Sequence, residues 1–193
     1  HGIALPADVR IFAQNTLDLV IRGKYQRRLA RRIGRMVEDG QKLLDLGAGV
    51  GFLSIFTTKH MPLATVIAQE DNASRMHIMR NILAHNELAL GDRLHMTTDQ
   101  VIFPDDDAQT VARINQVIAD EMPDVLRASY AQIGAKLLSA VTLGSVKRII
   151  LSGPAIGTFL REYPQIDNPA LIPSEELSMP EFIILENKSA NSS

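Results

Sequence analysis

The sequence has no cysteine and no tryptophan, and neither sign of charge dominates it. Without cysteine, disulfide bonds and thiolate metal sites are excluded. The formal net charge of -2 gives no reason to expect general binding to nucleic acid. There is no apolar run long enough to span a bilayer, and no signal peptide is visible. We therefore expect a soluble, cytoplasmic protein without a membrane or nucleic-acid partner.

The length and the hydrophobic content favour one domain with a well-buried core. The chain has 193 residues, of which 46% are hydrophobic. These values are typical of an α/β fold. The histidines form no spacing that would hold a metal ion, so no metal site is predicted. The oligomeric state stays open, with a homodimer as one option.

The first 40 residues are predicted to be helical. Apolar residues recur at helical spacing over 14–38, and the sequence Asp39-Gly40 ends the pattern. Many arginines lie on the opposite side of this helix, which is typical of a solvated face.

Strand and helix patterns then alternate along the chain. Six strands are predicted at 42–46, 64–69, 93–97, 125–128, 146–151 and 182–185, with a seventh near Leu171. The intervening helices are predicted at 51–60, 72–86, 107–122, 131–138 and 156–163. This order indicates an α/β fold with a mostly parallel seven-stranded sheet and helices on both faces. Residues 189–193 are predicted to form a disordered tail.

The position of the fourth strand has two interpretations. Acidic residues at 105–107 and a stop at Pro123 favour a helix over 107–122, which places the strand at 124–128. The alternative places the strand at 116–119, within the same stretch.

A glycine-rich turn, DLGAGVG, follows the first strand at residues 45–51. Such turns let backbone N–H groups approach a ligand closely. A dinucleotide site requires a small residue where this chain has Phe52, and the phosphate-binding pattern G-x-x-x-x-G-K-[ST] is absent. The glycine spacing therefore favours another cofactor.

Acidic residues stand at the ends of three successive predicted strands: Asp45, Glu70 and Asp99. With D-x-G-x-G-x-G, this arrangement resembles the class I methyltransferases, which use S-adenosylmethionine (SAM) and release S-adenosylhomocysteine (SAH). The resemblance implies a Rossmann-like fold. It places Asp45 at the methionine amino group, Glu70 at the ribose hydroxyls and Asp99 towards the adenine.

The resemblance also implies a division of the chain and a set of cofactor contacts. Residues 41–188 would form the SAM-binding domain, and residues 1–40 would cap the cofactor pocket, with Tyr25 at its edge. The predicted cofactor-binding residues are Asp45, Gly47, Ala48, Gly49, Gly51, Phe52, Glu70, Asp71, Asn72, Thr98, Asp99, Gln100 and Tyr25.

Longer stretches resemble the FkbM family, whose characterised members methylate hydroxyl groups. The matching segments include RGKYQ, LLDLGAGVGFLS, IAQEDNASRMHIMRNILAHNEL and PDVLRASYAQIGAKLLSAVTLGSVKRIIL. The resemblance implies O-methylation of a hydroxyl on a small molecule or sugar.

The family's acidic D-x-E-G cluster after the fourth strand is replaced here by ASYAQIG. Candidates for the catalytic base are therefore Tyr130, Asp120 and Glu121. One alternative is a SAM-binding regulatory or assembly protein that has lost catalysis. A second is a protein or RNA methyltransferase. The stretch GFLSIFTTK is similar to protein arginine methyltransferases, but of that family's paired glutamates after the fourth strand only one has a counterpart here, Glu121.

Overall fold

The computed structural model describes residues 2–91, 93–152, 161, 163, 166–174, 178 and 182–191. Its helices are α1 (Gln14–Ile21), α2 (Arg27–Met36), α3 (Phe52–His60), α4 (Ala73–His85), α5 (Asp107–Glu121) and α6 (Tyr130–Ala140). Its strands are β1 (Lys42–Leu46), β2 (Thr65–Gln69), β3 (Leu94–Thr97), β4 (Val125–Ser129), β5 (Arg148–Ser152), β6 (Leu171–Pro173) and β7 (Phe182–Asn187).

All seven strands form one sheet in the order β3-β2-β1-β4-β5-β7-β6. The first five strands in this order pair in parallel, whereas β7 runs antiparallel to both of its neighbours. The predicted mostly parallel, seven-stranded sheet is confirmed. The strand order reverses at β1, which leaves a crevice beyond the carboxyl ends of β1 and β4, where open α/β sheets bind their ligands.

Helices cover both faces of the sheet because alternate strand residues point to opposite sides. Leu43 and Val66 belong to a core cluster that also contains buried residues of α2, α3 and α4. Their chain neighbours Leu44 and Ile67 belong to a second cluster with buried residues of α5 and α6. The near-continuous hydrophobic runs of the strands follow from this two-sided burial.

The strand at 124–128 is confirmed, and the alternative at 116–119 is wrong. Residues 116–119 lie inside α5, whose N-cap is Asp106: its side chain accepts a hydrogen bond from the Gln109 N–H at 2.8 Å. Local capping thus stabilises a helix where the apolar pattern alone was ambiguous.

The single helix predicted over 14–38 is wrong, because two helices are present. Between α1 and α2 the backbone turns through Gly23 (φ 62°) and Gln26 (φ 45°), both in the left-handed region. Such a conformation cannot continue a right-handed helix, and glycine adopts it without steric cost.

The C-terminal predictions are only partly covered by described residues. Apart from Arg161 and Tyr163, the helix predicted at 156–163 lies outside them. A 3-10 helix occupies Lys188–Asn191, where the sequence predicted a disordered tail from 189. None of the described helices is long and apolar enough to cross a membrane.

Candidate functional site

The glycine loop joins β1 to α3 at the reversal of the strand order. Gly47, Gly49 and Gly51 all have positive φ values, between 62° and 75°. The loop is tied to β2, because the Ala48 N–H donates to the carbonyl oxygen of Gln69 at 2.8 Å. Helix α6 approaches it closely: a Cβ atom at Gly47 would lie 2.6 Å from Oε1 of Gln132. The positive φ values favour glycine at all three positions, and at Gly47 a side chain would also displace the Gln132 amide.

Asp45 is fully buried at the end of β1 and has two side-chain partners. The Ser54 hydroxyl donates to Oδ2 at 2.6 Å, and Nη1 of Arg127 donates to Oδ1 at 3.0 Å. Asp45 and Arg127 are register neighbours on the parallel strands β1 and β4. The carboxylate predicted to receive the cofactor's amino group is thus already paired with a cation of the chain itself.

Arg127 has further contacts that fix its guanidinium beneath the glycine loop. Nη1 donates to the Gly47 carbonyl oxygen at 3.0 Å, and Nη2 donates to the Ser152 hydroxyl at 3.0 Å. The Nε atom is buried, without a hydrogen-bond partner among the described residues. Sequence reasoning missed Arg127. The available signal was a lone arginine in an otherwise apolar strand, VLRAS.

Glu70 lies directly after β2, is 2% exposed and contacts the loop. Its Oε2 accepts a hydrogen bond from the Gly49 N–H at 2.8 Å, and its Oε1 accepts one from the Asn72 N–H at 3.1 Å. Nη1 of Arg75 is 3.7 Å from Oε1. These contacts hold the Glu70 carboxylate in one position beside the glycine loop.

Gln69, the last residue of β2, connects the loop to the segment after β3. Its Oε1 accepts from the Gly47 N–H at 3.1 Å, and its Nε2 donates to the Asp99 carbonyl oxygen at 2.7 Å. The carboxylate of Asp99 is 64% exposed and pairs with Nη2 of Arg113 at 3.2 Å. The structure thus brings the backbone of Asp99 to the site, while its side chain binds α5. Sequence reasoning also missed Gln69.

The remaining predicted cofactor contacts differ in what they do. Asp71, Thr98 and Gln100 are exposed residues that follow the carboxyl ends of β2 and β3. The Asn72 side chain caps α4 by accepting from the Arg75 N–H at 3.1 Å. Phe52 is buried in the core as the first residue of α3, so its ring serves packing.

Tyr25, which the sequence predicted to cap the cofactor pocket, packs against the first residue after the glycine loop. Its ring contacts Phe52, and Nε2 of Gln26 donates to its hydroxyl at 3.3 Å. Burial raises the pKa of the Tyr25 phenol, while the charge of Arg127 lowers that pKa and the charge of Asp45 raises it. Both charges therefore reach Tyr25, which links the N-terminal segment to the paired residues below the loop.

The structure separates the three candidates for the catalytic base. Tyr130 is buried and directly follows β4, on the side of the glycine loop. Asp120 and Glu121 end α5 at the opposite edge, where Nζ of Lys42 donates to the Glu121 carbonyl oxygen at 2.6 Å. Because Lys42 is the first residue of β1, these two acids lie at the amino end of that strand, whereas the glycine loop follows its carboxyl end. Among the described residues, no group of three acidic or histidine side chains could hold a metal ion.

Comparison with known proteins supports this architecture. No family model matches the chain, and no curated protein matches its sequence. Solved structures match its fold. One is a precorrin-6Y C5,15-methyltransferase from Geobacter metallireducens, with 15% identity, a TM-score of 0.59 and coverage of 96% of this chain and 97% of that chain. The chain has the Rossmann-like methyltransferase fold.

Two further structures with the methyltransferase fold are similar over most of their length. A TehB-like SAM-dependent methyltransferase from Corynebacterium glutamicum has 16% identity and a TM-score of 0.56, with 91% of this chain and 96% of that chain covered. A methyltransferase from Geobacter sulfurreducens has 13% identity and a TM-score of 0.59, with 95% and 92% covered. At such low identity the likeness shows the fold alone.

Proposed function

We propose that the chain binds SAM in the crevice above β1, β2 and β4, and that it is a methyltransferase. The observation that carries the proposal is the contact between Glu70 and Gly49 at the carboxyl ends of the strands. It places a buried carboxylate beside a glycine loop at the point where this fold binds ligands. The methyltransferase names of the structural relatives support the same assignment.

The adenosyl half of SAM fits the residues around Glu70. A carboxylate has about four acceptor positions, and the structure uses one on each oxygen for the N–H groups of Gly49 and Asn72. Glu70 can therefore accept hydrogen bonds from two ribose hydroxyls without losing these contacts. Thr98 and Gln100, which the sequence analysis also assigned to the cofactor, are exposed polar residues that we propose for contact with the adenine.

The methionine half of SAM fits less well. Nη1 of Arg127 already donates to the Asp45 carboxylate and to the Gly47 carbonyl oxygen, so a cation of the chain itself occupies the place that the amino group of SAM would take. SAM, when bound, would supply an electrophilic methyl group on a positively charged sulfonium.

A hydroxyl of a small molecule or sugar is the acceptor we propose. The resemblance to the FkbM family supports this choice, as does the net charge of -2, which disfavours nucleic acid. Tyr130 is the candidate base that lies on the side of the glycine loop. A base at that position would remove the proton of the acceptor hydroxyl during transfer.

A second function is a SAM-binding protein that transfers no methyl group. The observation that favours it is the lack of a carboxylate where β4 ends and α6 begins, in the described residues Ser129-Tyr130-Ala131-Gln132. The chain would then act as a regulatory or assembly partner. For either function a cytoplasmic location is the one we propose.

Isothermal titration with SAM and SAH tests the shared premise. We expect both to bind the wild-type chain, and Glu70→Ala to weaken both at least tenfold, because ribose hydrogen bonds to a charged group are lost. Asp39→Ala, an exposed acid in the turn before β1, is the matched control. If neither compound binds at millimolar concentration, the proposed function is wrong. Transfer of a radiolabelled methyl group from SAM distinguishes the enzyme from the binding protein.

A further inference from the structure

The Nη1 nitrogen of Arg127 lies among three hydrogen-bond acceptors below the glycine loop, which we call the acceptor cage. Nη1 donates to Oδ1 of Asp45 at 3.0 Å, to the Gly47 carbonyl oxygen at 3.0 Å and to the Leu46 carbonyl oxygen at 3.4 Å. One carboxylate and two carbonyl oxygens are the surroundings that a primary ammonium, with its three N–H donors, requires. The chain itself thus supplies the cation at the position expected for the amino group of SAM.

The position of Arg127 is strongly constrained. Its side chain is only 11% exposed, it is the register neighbour of Asp45, and Nη2 is held by Ser152. Moving the guanidinium away would leave Asp45 buried with Ser54 as its remaining partner, which costs several kcal/mol for a charge in the interior. Displacement by a ligand is therefore unfavourable.

A second cation cannot share the acceptor cage. An ammonium next to the guanidinium would meet like charge in a site of low exposure, where repulsion is stronger than in water. A neutral or anionic group needs none of these acceptors and meets no like charge from the guanidinium.

We infer that Arg127 excludes the ammonium group of amino-acid-bearing ligands, so that the crevice prefers an adenosyl ligand whose tail is neutral or anionic. Arg127 is then a residue that determines specificity. The inference rests on the proposed function, because it takes adenosyl binding at Glu70 as given. It predicts that the amino group of SAM makes no favourable contribution to the binding free energy.

The test compares SAH with deamino-SAH, in which hydrogen replaces the α-amino group, by isothermal titration. We expect the wild-type chain to bind deamino-SAH as tightly as SAH or more tightly. A free ammonium subsite would instead favour SAH by roughly ten- to a hundredfold, the value of hydrogen bonds to a charged group. In Arg127→Gln we expect the ratio of the two affinities to shift towards SAH by about tenfold.

Arg148→Gln is the matched control. Arg148 also binds one carboxylate, of Glu38 at 3.0 Å, and one backbone carbonyl, of Met36 at 3.2 Å, but it lies at the first residue of β5, away from the loop. The substitution Arg148→Gln should leave the ratio of the SAH and deamino-SAH affinities unchanged. Unfolding curves check that both variants fold. If Arg127→Gln does not fold, the comparison of SAH with deamino-SAH on the wild type still tests the inference.

The outcomes separate this inference from the proposed function. A wild-type preference for SAH of tenfold or more overturns the role of Arg127 and leaves adenosyl binding intact. Tighter binding of SAH to Arg127→Gln than to the wild type, with a smaller change for deamino-SAH, supports the inference, because removing the guanidinium then opens the subsite. Failure of both ligands with both proteins overturns the proposed function, and the inference with it.

Discussion

The ring of Tyr25 packs edge-on against the ring of Phe52, with centroids 5.3 Å apart and planes at 76°. On its other side Tyr25 meets Phe12 in a similar arrangement, at 5.5 Å and 61°. Phe52 is the first residue after the glycine loop, so this stack joins the N-terminal segment directly to the site. Such edge-to-face geometry is favourable because the positive ring edge meets the negative face of its neighbour.

Replacing Tyr25 by alanine should remove both ring contacts and lower the free energy of unfolding by about 3 kcal/mol. Tyr25→Phe keeps the rings and loses only the hydrogen bond from Gln26, which costs about 1 kcal/mol. Urea denaturation of the two variants measures the difference. Equal stability of the two would mean that the aromatic stack contributes little.

The buried pair of Asp45 and Arg127 should behave as one unit. Asp45→Asn and Arg127→Met each leave a partner buried without its counter-charge, and each should lower the free energy of unfolding by about 3 kcal/mol. The double variant has no uncompensated charge and should lose clearly less than the sum of the two. Denaturation of all four proteins gives the coupling energy; strict additivity would contradict the pairing.

Two glycines of the loop should respond differently to alanine. A methyl group at Gly51 would lie 2.5 Å from Cγ and Sδ of the fully buried Met79, whereas at Gly49 it would meet nothing within 4 Å. Both have positive φ, so Gly49→Ala should cost about 1 kcal/mol from backbone strain alone.

Gly51→Ala should cost about 3 kcal/mol, because Met79 must move as well. Thermal unfolding of the two variants, compared with the wild type, checks this order. The contact of Gly51 with α4 would be unimportant if the two variants melted together.

Most of the fold could be predicted from the sequence because its signals are local. Alternation of apolar runs with helical spacing predicted the strands and the helices α3 to α6. The N-terminal helix was mispredicted because apolar spacing continues through Gly23, whose left-handed backbone interrupts the helix. Periodicity reports which residues face the core, and it does not report the backbone conformation between them.

The site was predictable only in part. The spacing of the glycines and the acids at strand ends led to the predictions for Asp45 and Glu70, since these residues stand at the ends of recognisable strands. Arg127 was missed because its partner is 82 residues away in sequence. Whether a buried acid is free for a ligand or paired internally depends on such non-local contacts. Strand register, which the sequence does not encode locally, decides that Arg127 lies beside Asp45.

The two edge strands of the sheet limit how copies of this chain can associate. At one edge, β6 has only three residues and ends at Pro173, which has no N–H group to donate. At the other edge, β3 has four residues, one of them the exposed His95. Short edges with proline or polar side chains are poor templates for an additional strand. If the chain forms a homodimer, we therefore expect contact through helices and not through a continuous intermolecular sheet.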